Sequence, residues 1–379
     1  MTSPLPVYLD CNATTPLEDE VLVAMMDAYR TTFGNAGSRT HRYGLEASHA
    51  VRKAREQVAA VVGLEWDAVT FTSGATESNN LAILGLAGSA EAMGRKHIIS
   101  TQIEHKAVLE PLEALSARGF EVTLLPPSST GAVDPAAVQS ALRPDTALVS
   151  VMQVNNETGV IQPIEAIAEI LHGHPAVFHT DAAQGYGKDL QPLCHDRIDL
   201  ISVSAHKIFG PKGIGALIAR QTGRLKGLSP VFFGGGQERG LRPGTLAVPL
   251  IVGFGVAAST AVRDYASRRN RCMAFRTRLL EALSPLGISV NGDPSITLPS
   301  TLNFSCDDID SEAVILALKD YVAFSNGSAC TSANYSLSHV LTAMGLSETT
   351  VSASVRWSWS HKTIDPEWYE ITRALNNIK

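Results

Sequence analysis

From about Glu18 to Leu250, short β-branched runs alternate with longer stretches in which apolar residues recur at helical spacing. A parallel sheet wrapped by helices requires that alternation. The pattern predicts strands over 68–72, 97–101, 121–125, 146–151, 176–179, 200–204 and 215–218, with helices between most of them, including 45–62 and 164–171. Near Pro249 the rhythm changes, and one long arginine-rich helical stretch to about Leu283 bridges into a second region. There the pattern predicts strands over 301–304 and 355–358 and helices over 311–319 and 337–344. No internal repeat or low-complexity segment interrupts the chain. The expected class is α/β: a large domain over 15–260 with a mainly parallel seven-stranded sheet flanked by helices, and a smaller α/β domain from 1–14 and 261–379.

Composition bounds the function. A chain of 379 residues, 45% hydrophobic and 18% charged, has the make-up of a globular protein with ample length for a large core. A net charge of -6 argues against direct nucleic-acid binding, which draws its affinity from clustered Lys and Arg. The basic stretch Arg268-Arg269-Asn270-Arg271, with Arg276 and Arg278, is expected as a solvated helix face. Met1 to Pro6 lacks a secretory pattern, and no apolar run approaches a membrane span, so a cytoplasmic protein is expected. The five cysteines show no Cys-x-x-Cys spacing, and neither a disulfide framework nor a metal site is expected.

Two runs carry the most chemistry. Phe178-His179-Thr180-Asp181-Ala182-Ala183-Gln184 and Ser202-Val203-Ser204-Ala205-His206-Lys207 each read as a short strand ending in polar residues. Asp181, Gln184, Ser204, His206 and Lys207 should therefore meet at neighbouring strand ends, where open α/β sheets bind ligands. A Schiff-base lysine with a carboxylate that keeps a pyridinium nitrogen protonated is a protein's share of pyridoxal 5′-phosphate (PLP) chemistry. Lys207 alone also reads as an exposed lysine after a buried strand; with Asp181 beside it, the PLP reading is preferred. Strand 69–72, the turn Ser73-Gly74-Ala75-Thr76 and the following helix start would aim backbone N–H groups at one point, suiting a phosphate or an ordinary helix cap.

Other positions add to this. His105, after strand 97–101, could stack on a cofactor ring and move protons near neutral pH. Cys330 lies in the small polar run Gly327-Ser328-Ala329-Cys330-Thr331-Ser332, a loop where a thiol is an accessible nucleophile. Arg356 alternates with apolar neighbours on an expected strand, where its guanidinium could clamp a carboxylate or serve a structural salt bridge. The glycine-rich runs 210–215 and 234–240 lack phosphate-loop and dinucleotide patterns and read as turns or close packing.

Together these motifs resemble the cysteine desulfurases of aminotransferase class V, which are fold type I PLP enzymes. The match runs from about Tyr8 to Trp359 and includes Asp10-Cys11-Asn12-Ala13-Thr14-Thr15-Pro16, Thr72 to Ser78, Glu104 to Val108, Val154 to Glu157 and Gly327 to Ser332. The resemblance implies that Lys207 carries PLP, Asp181 pairs with its pyridinium nitrogen, Gln184 bonds its phenolic oxygen and His105 stacks on its ring. It implies a phosphate site of Ala75, Thr76, Ser204 and His206, completed by Thr245 from a second subunit, hence a homodimer. Asn156 and Arg356, helped by Asn35, would hold the substrate carboxylate.

The implied reaction converts L-cysteine to L-alanine, with the sulfur passing to Cys330 as a persulfide and then to acceptor proteins. The wording of 33–41, 181–188 and 236–245 looks most like the desulfurase of bacterial DNA phosphorothioation systems. Supply of iron-sulfur cluster or tRNA thiolation pathways is the alternative. A related class V enzyme, such as a selenocysteine lyase or an aminotransferase, would share Lys207 and Asp181. A sulfur carrier with a vestigial fold is a third reading.

Overall fold

The computed structural model describes residues 5–220, 227–306, 309–326 and 337–378. A short strand β1 (Val7–Tyr8) opens the chain. The main sheet follows: β2 (Val69–Thr72), β3 (His97–Thr101), β4 (Glu121–Leu125), β5 (Thr146–Ser150), β6 (Val177–Asp181), β7 (Leu200–Ser204) and β8 (Gly215–Ala219). Its order is β2-β8-β7-β6-β5-β3-β4. Only β8 runs against its neighbours; every other pairing is parallel. This is the expected mainly parallel, seven-stranded sheet. Six strands thus deliver their C-terminal ends to one edge.

The strands read as near-continuous apolar runs because both faces are covered. Successive side chains point to opposite faces, so Ile99, Val149, Phe178, Ile201, Ala216 and Ile218 join one core, against helices Arg42–Ala60 and Val248–Arg263. Ile98, Leu148, Val177, Leu200 and Leu217 join another, against helices Ala75–Ala92 and Lys106–Ser116.

The remaining strands are β9 (Ser289–Val290), β10 (Thr301–Ser305), β11 (Val322–Ala323) and β12 (Ser354–Ser358). β10 lies antiparallel between β9 and β12, and β1 pairs in parallel with β11. Leu9 from the start of the chain packs with Phe275, Phe304, Trp357 and Trp359 in a separate core. The N-terminal segment therefore crosses between the two cores and carries residues 10–15 past the sheet edge.

Two expectations differ from the structure. The single helix over 249–283 is two, Val248–Arg263 and Tyr265–Leu283, because Asp264 leaves helical backbone values (φ -101°, ψ 8°). The arginine stretch is not uniformly solvated either. Arg269, Arg271 and Arg278 are exposed. Arg268 instead lays its guanidinium over the Phe209 ring and pairs with Glu18 at 3.1 Å, so its aliphatic stem covers apolar surface. Among the described residues no helix is long and apolar enough to cross a membrane, and no group of acidic, His or Cys side chains could hold a metal ion.

Candidate active site

The C-terminal edge of the sheet surrounds a cavity of about 510 Å³. The ends of β2, β3, β5, β6 and β7 build it. β2 passes through Ser73-Gly74 directly into helix Ala75–Ala92, so Ala75 and Thr76 present the first turn of a helix to the cavity. The first N–H groups of a helix have no intrahelical acceptor and favour an anion. This turn lies very close to β8. A Cβ on Gly215 would meet Val203 O at 2.4 Å and Gly74 Cα at 2.6 Å, so only glycine allows the approach.

β3 leads to His105, which caps the next helix. Its Nδ1 accepts from Ala107 N at 3.0 Å, which leaves the proton of a neutral ring on Nε2. Burial lowers the His105 pKa, although Asp181 pulls the other way. β6 ends in Asp181, whose Oδ2 accepts from Asn79 Nδ2 at 2.7 Å and whose Oδ1 accepts from Ala183 N at 2.9 Å.

β7 ends in Ser204 and turns through His206 and Lys207. Burial, then the charges of Lys207, Lys212 and Lys188, push the His206 pKa down to about 4. That ring is neutral at physiological pH, and its Nδ1 meets Thr14 Oγ1 at 3.1 Å. Lys207 Nζ donates to the carbonyls of Asn12 and Ala13, the latter at 2.9 Å.

The crossing N-terminal segment ties these groups together. Asn12 O also accepts from Gln184 Nε2 at 2.8 Å, and Asn12 Nδ2 donates to Asn156 O at 3.2 Å. Arg356, on β12, donates through Nη1 to Asn156 O at 3.0 Å and through Nη2 to Asp10 Oδ1 at 2.7 Å. Its Nε is buried with no hydrogen-bond partner.

Ten of the residues singled out in the sequence line this one cavity: Ala75, Thr76, His105, Asn156, Asp181, Gln184, Ser204, His206, Lys207 and Arg356. Thr245 does not; it lies in a groove beside Phe232, Phe233 and Pro243. Asn35 accepts from Gly37 N at 2.9 Å in a turn, and it too lies off the cavity wall. Cys330 falls outside the described residues. Sequence reasoning missed Asn79, Asn12 and Asp10. The last two stand in the motif of residues 10–16, and Asn79 sits one helical turn after Thr76, which was the signal available.

The residues fit PLP. A lysine amine, a doubly hydrogen-bonded carboxylate, a neutral imidazole and a helix N-terminus converge on one cavity, a donor set that suits a pyridine ring with an anionic phosphate.

The aminotransferase class-V family model matches residues 7–365. The chain is 45% identical to a cysteine desulfurase IscS of Anaeromyxobacter, over 98% of this chain and 92% of that relative. Among solved structures, a NifS-like protein superposes with a TM-score of 0.89 at 37% identity, over 99% of this chain and 98% of that one. DndA from Streptomyces lividans superposes with a TM-score of 0.82 at 48% identity, over 93% and 99%. The fold is that of the fold type I PLP enzymes, PLP is the cofactor, and the chain belongs to the aminotransferase class-V family.

Proposed function

We propose that this protein is a cysteine desulfurase that moves sulfur from L-cysteine onto Cys330 and releases L-alanine. The observation that carries this reading is the placement of Lys207, Asp181, His105 and Arg356 around one cavity, in a chain whose near-full-length relatives bear the name cysteine desulfurase. PLP, when bound, supplies an electron sink for charge developing at the substrate α-carbon.

The chain's own groups do the rest. Arg356 and Asn156, which both line the cavity, bind and orient the substrate carboxylate. Lys207 would hold the cofactor, and its Nζ is the group that would take the substrate α-proton. Asp181 would hold the pyridinium nitrogen, Gln184 the phenolic oxygen, and Ala75, Thr76, Ser204 and His206 the phosphate. His206 would add an imidazole N–H to that phosphate site. His105 would lie against the ring and, with its proton on Nε2, would relay protons between thiol and solvent. The Cys330 thiolate attacks the substrate sulfur: the S–S bond of the persulfide forms, the C–S bond breaks, and a proton completes the methyl group of alanine. No outside oxidant or reductant is needed.

Thr245 belongs to the same reading as a phosphate ligand given to a second subunit, which makes the enzyme a homodimer. Its position off its own chain's cavity supports this. The division into domains 15–260 and 1–14 with 261–379 is supported by Leu9 packing with Phe275 and Trp357. A cytoplasmic location is supported by Cys11, Cys194 and Cys272 standing as thiols. As acceptor pathway we favour DNA phosphorothioate modification, on the identity to DndA. Iron-sulfur or tRNA thiolation supply is the second reading, favoured by the IscS relatives.

Purified protein incubated with L-cysteine and a thiol reductant should make alanine, and Cys330→Ser should lose it. Alanine production unchanged in Cys330→Ser would replace this reading with a lyase that needs no protein thiol. Deleting the gene and assaying both DNA phosphorothioate content and iron-sulfur enzyme activity separates the two pathways by which one falls.

A further inference from the structure

We infer that Lys188 is a positioning residue that sets the orientation of the Gln184 amide toward the cofactor. The inference rests on the reading that Gln184 contacts the phenolic oxygen of PLP. Gln184 and Lys188 are four residues apart in the turn that follows β6, and the left-handed backbone at Gly187 (φ +75°) brings Lys188 back beneath that turn. Lys188 Nζ donates to Gln184 Oε1 at 3.2 Å, while Gln184 Nε2 donates to Asn12 O at 2.8 Å.

These two partners make the amide one-way. Reversing it would set Oε1 against the Asn12 carbonyl, acceptor to acceptor, and Nε2 against the Lys188 ammonium, donor to donor. Each mismatch leaves a polar group of a buried side chain unpaired. With the amide held, one hydrogen of Nε2 goes to Asn12 O and the other is left for the cavity that Gln184 lines. Lys188 itself does not line that cavity. It borders a separate, smaller pocket with Tyr265, Arg268 and Cys272, so it acts on the site through Gln184.

Lys188 sits among ionisable neighbours on three elements: Cys11 on the N-terminal segment, Cys272 on helix Tyr265–Leu283, and His206 after β7. Burial pulls its own pKa down to about 8, against the opposing pull of the two cysteines. A lysine kept there at that expense, with its amine on a glutamine oxygen, has an orienting role that an apolar side chain could not fill.

The test is a double-mutant cycle read in the visible absorption of the PLP-loaded protein as a function of pH. An N–H donated to the phenolic oxygen favours its anionic form and lowers the titration midpoint of the band. Lys188→Met frees the amide to turn and should raise that midpoint by about one pH unit, equivalent to about 1.4 kcal/mol. Gln184→Ala should raise it similarly, and the double variant should show no further rise, because without the amide Lys188 has nothing left to orient. Lys188→Leu repeats the measurement if the methionine variant does not accumulate. A shift in Gln184→Ala with none in Lys188→Met would overturn the inference and leave the Gln184 reading standing. No shift in either would overturn both, and additive shifts would make Lys188 an independent electrostatic influence rather than a positioning residue.

Discussion

Arg356 Nη2 lies 2.7 Å from Asp10 Oδ1, so the guanidinium proposed to receive the substrate carboxylate already holds a carboxylate of its own chain. The pair joins β12 to the N-terminal segment and aims the fork past Asn156. Arg356 is 3% exposed, and removing one member of such a buried pair costs about 3–5 kcal/mol by stranding the other.

Arg356→Leu should therefore do two things. KM for L-cysteine should rise about 10- to 100-fold, as expected for losing a hydrogen bond to a charged group worth about 1.5–3 kcal/mol. Thermal unfolding should shift down by several degrees. Steady-state kinetics and calorimetry on the same sample check both; an unchanged KM would remove Arg356 from the substrate site.

Asp181→Asn keeps the size of the side chain and one acceptor for Asn79, but removes the negative charge. The variant should bind PLP and lose about 100-fold or more in kcat, in line with losses from removing one preorganised electrostatic group. Single-turnover alanine formation with saturating cofactor checks this.

His179 spans β5 and β7 beneath the site, with Nδ1 2.8 Å from Ser150 Oγ and Nε2 2.9 Å from Ser202 Oγ. Burial lowers its pKa from 6.5 to about 3. The unfolded chain binds this proton below about pH 6.5 while the folded protein refuses it, so the stabilising contribution is complete above pH 6.5 and is lost as pH falls. Between about pH 6 and 4 the slope should approach 1.4 kcal/mol per pH unit for this group. In His179→Gln, denaturant unfolding across that range should lose close to one proton of pH dependence.

Gly215→Ala tests the crossing of β8 with the phosphate-facing turn. Its Cβ would enter the space of Val203 O and Gly74 Cα, both backbone atoms that cannot rotate away. Overpacking of this kind costs about 1–3 kcal/mol. PLP affinity should fall together with stability because Ala75 and Thr76 must move; the same substitution at Gly63, where a Cβ meets nothing but the φ of +67° strains it, is the control that lowers stability and leaves affinity unchanged.

How far the sequence reaches is visible strand by strand. Strands 97–101, 121–125 and 200–204 were legible to the residue, because apolar runs bounded by polar or glycine signals have sharp ends. The break at Asp264 was not, since no glycine or proline marks it and local propensity continues across it. Arg268 misled for a related reason: charge alone does not say that a long aliphatic stem will lie on Phe209.

By itself the sequence determined the alternation of strand and helix, the family wording of the motifs and, through them, which side chains face one another across strand ends. Those properties are local, set by periodicity and by residue types at fixed spacing. Only the tertiary structure decided that Asn12 O would gather Lys207 and Gln184, that Asp10 would pair with Arg356, and that Lys188 would sit on Gln184 Oε1. These contacts join residues up to 346 positions apart or depend on how one amide is turned. They are settled by packing and by satisfying buried polar groups, which no local pattern encodes.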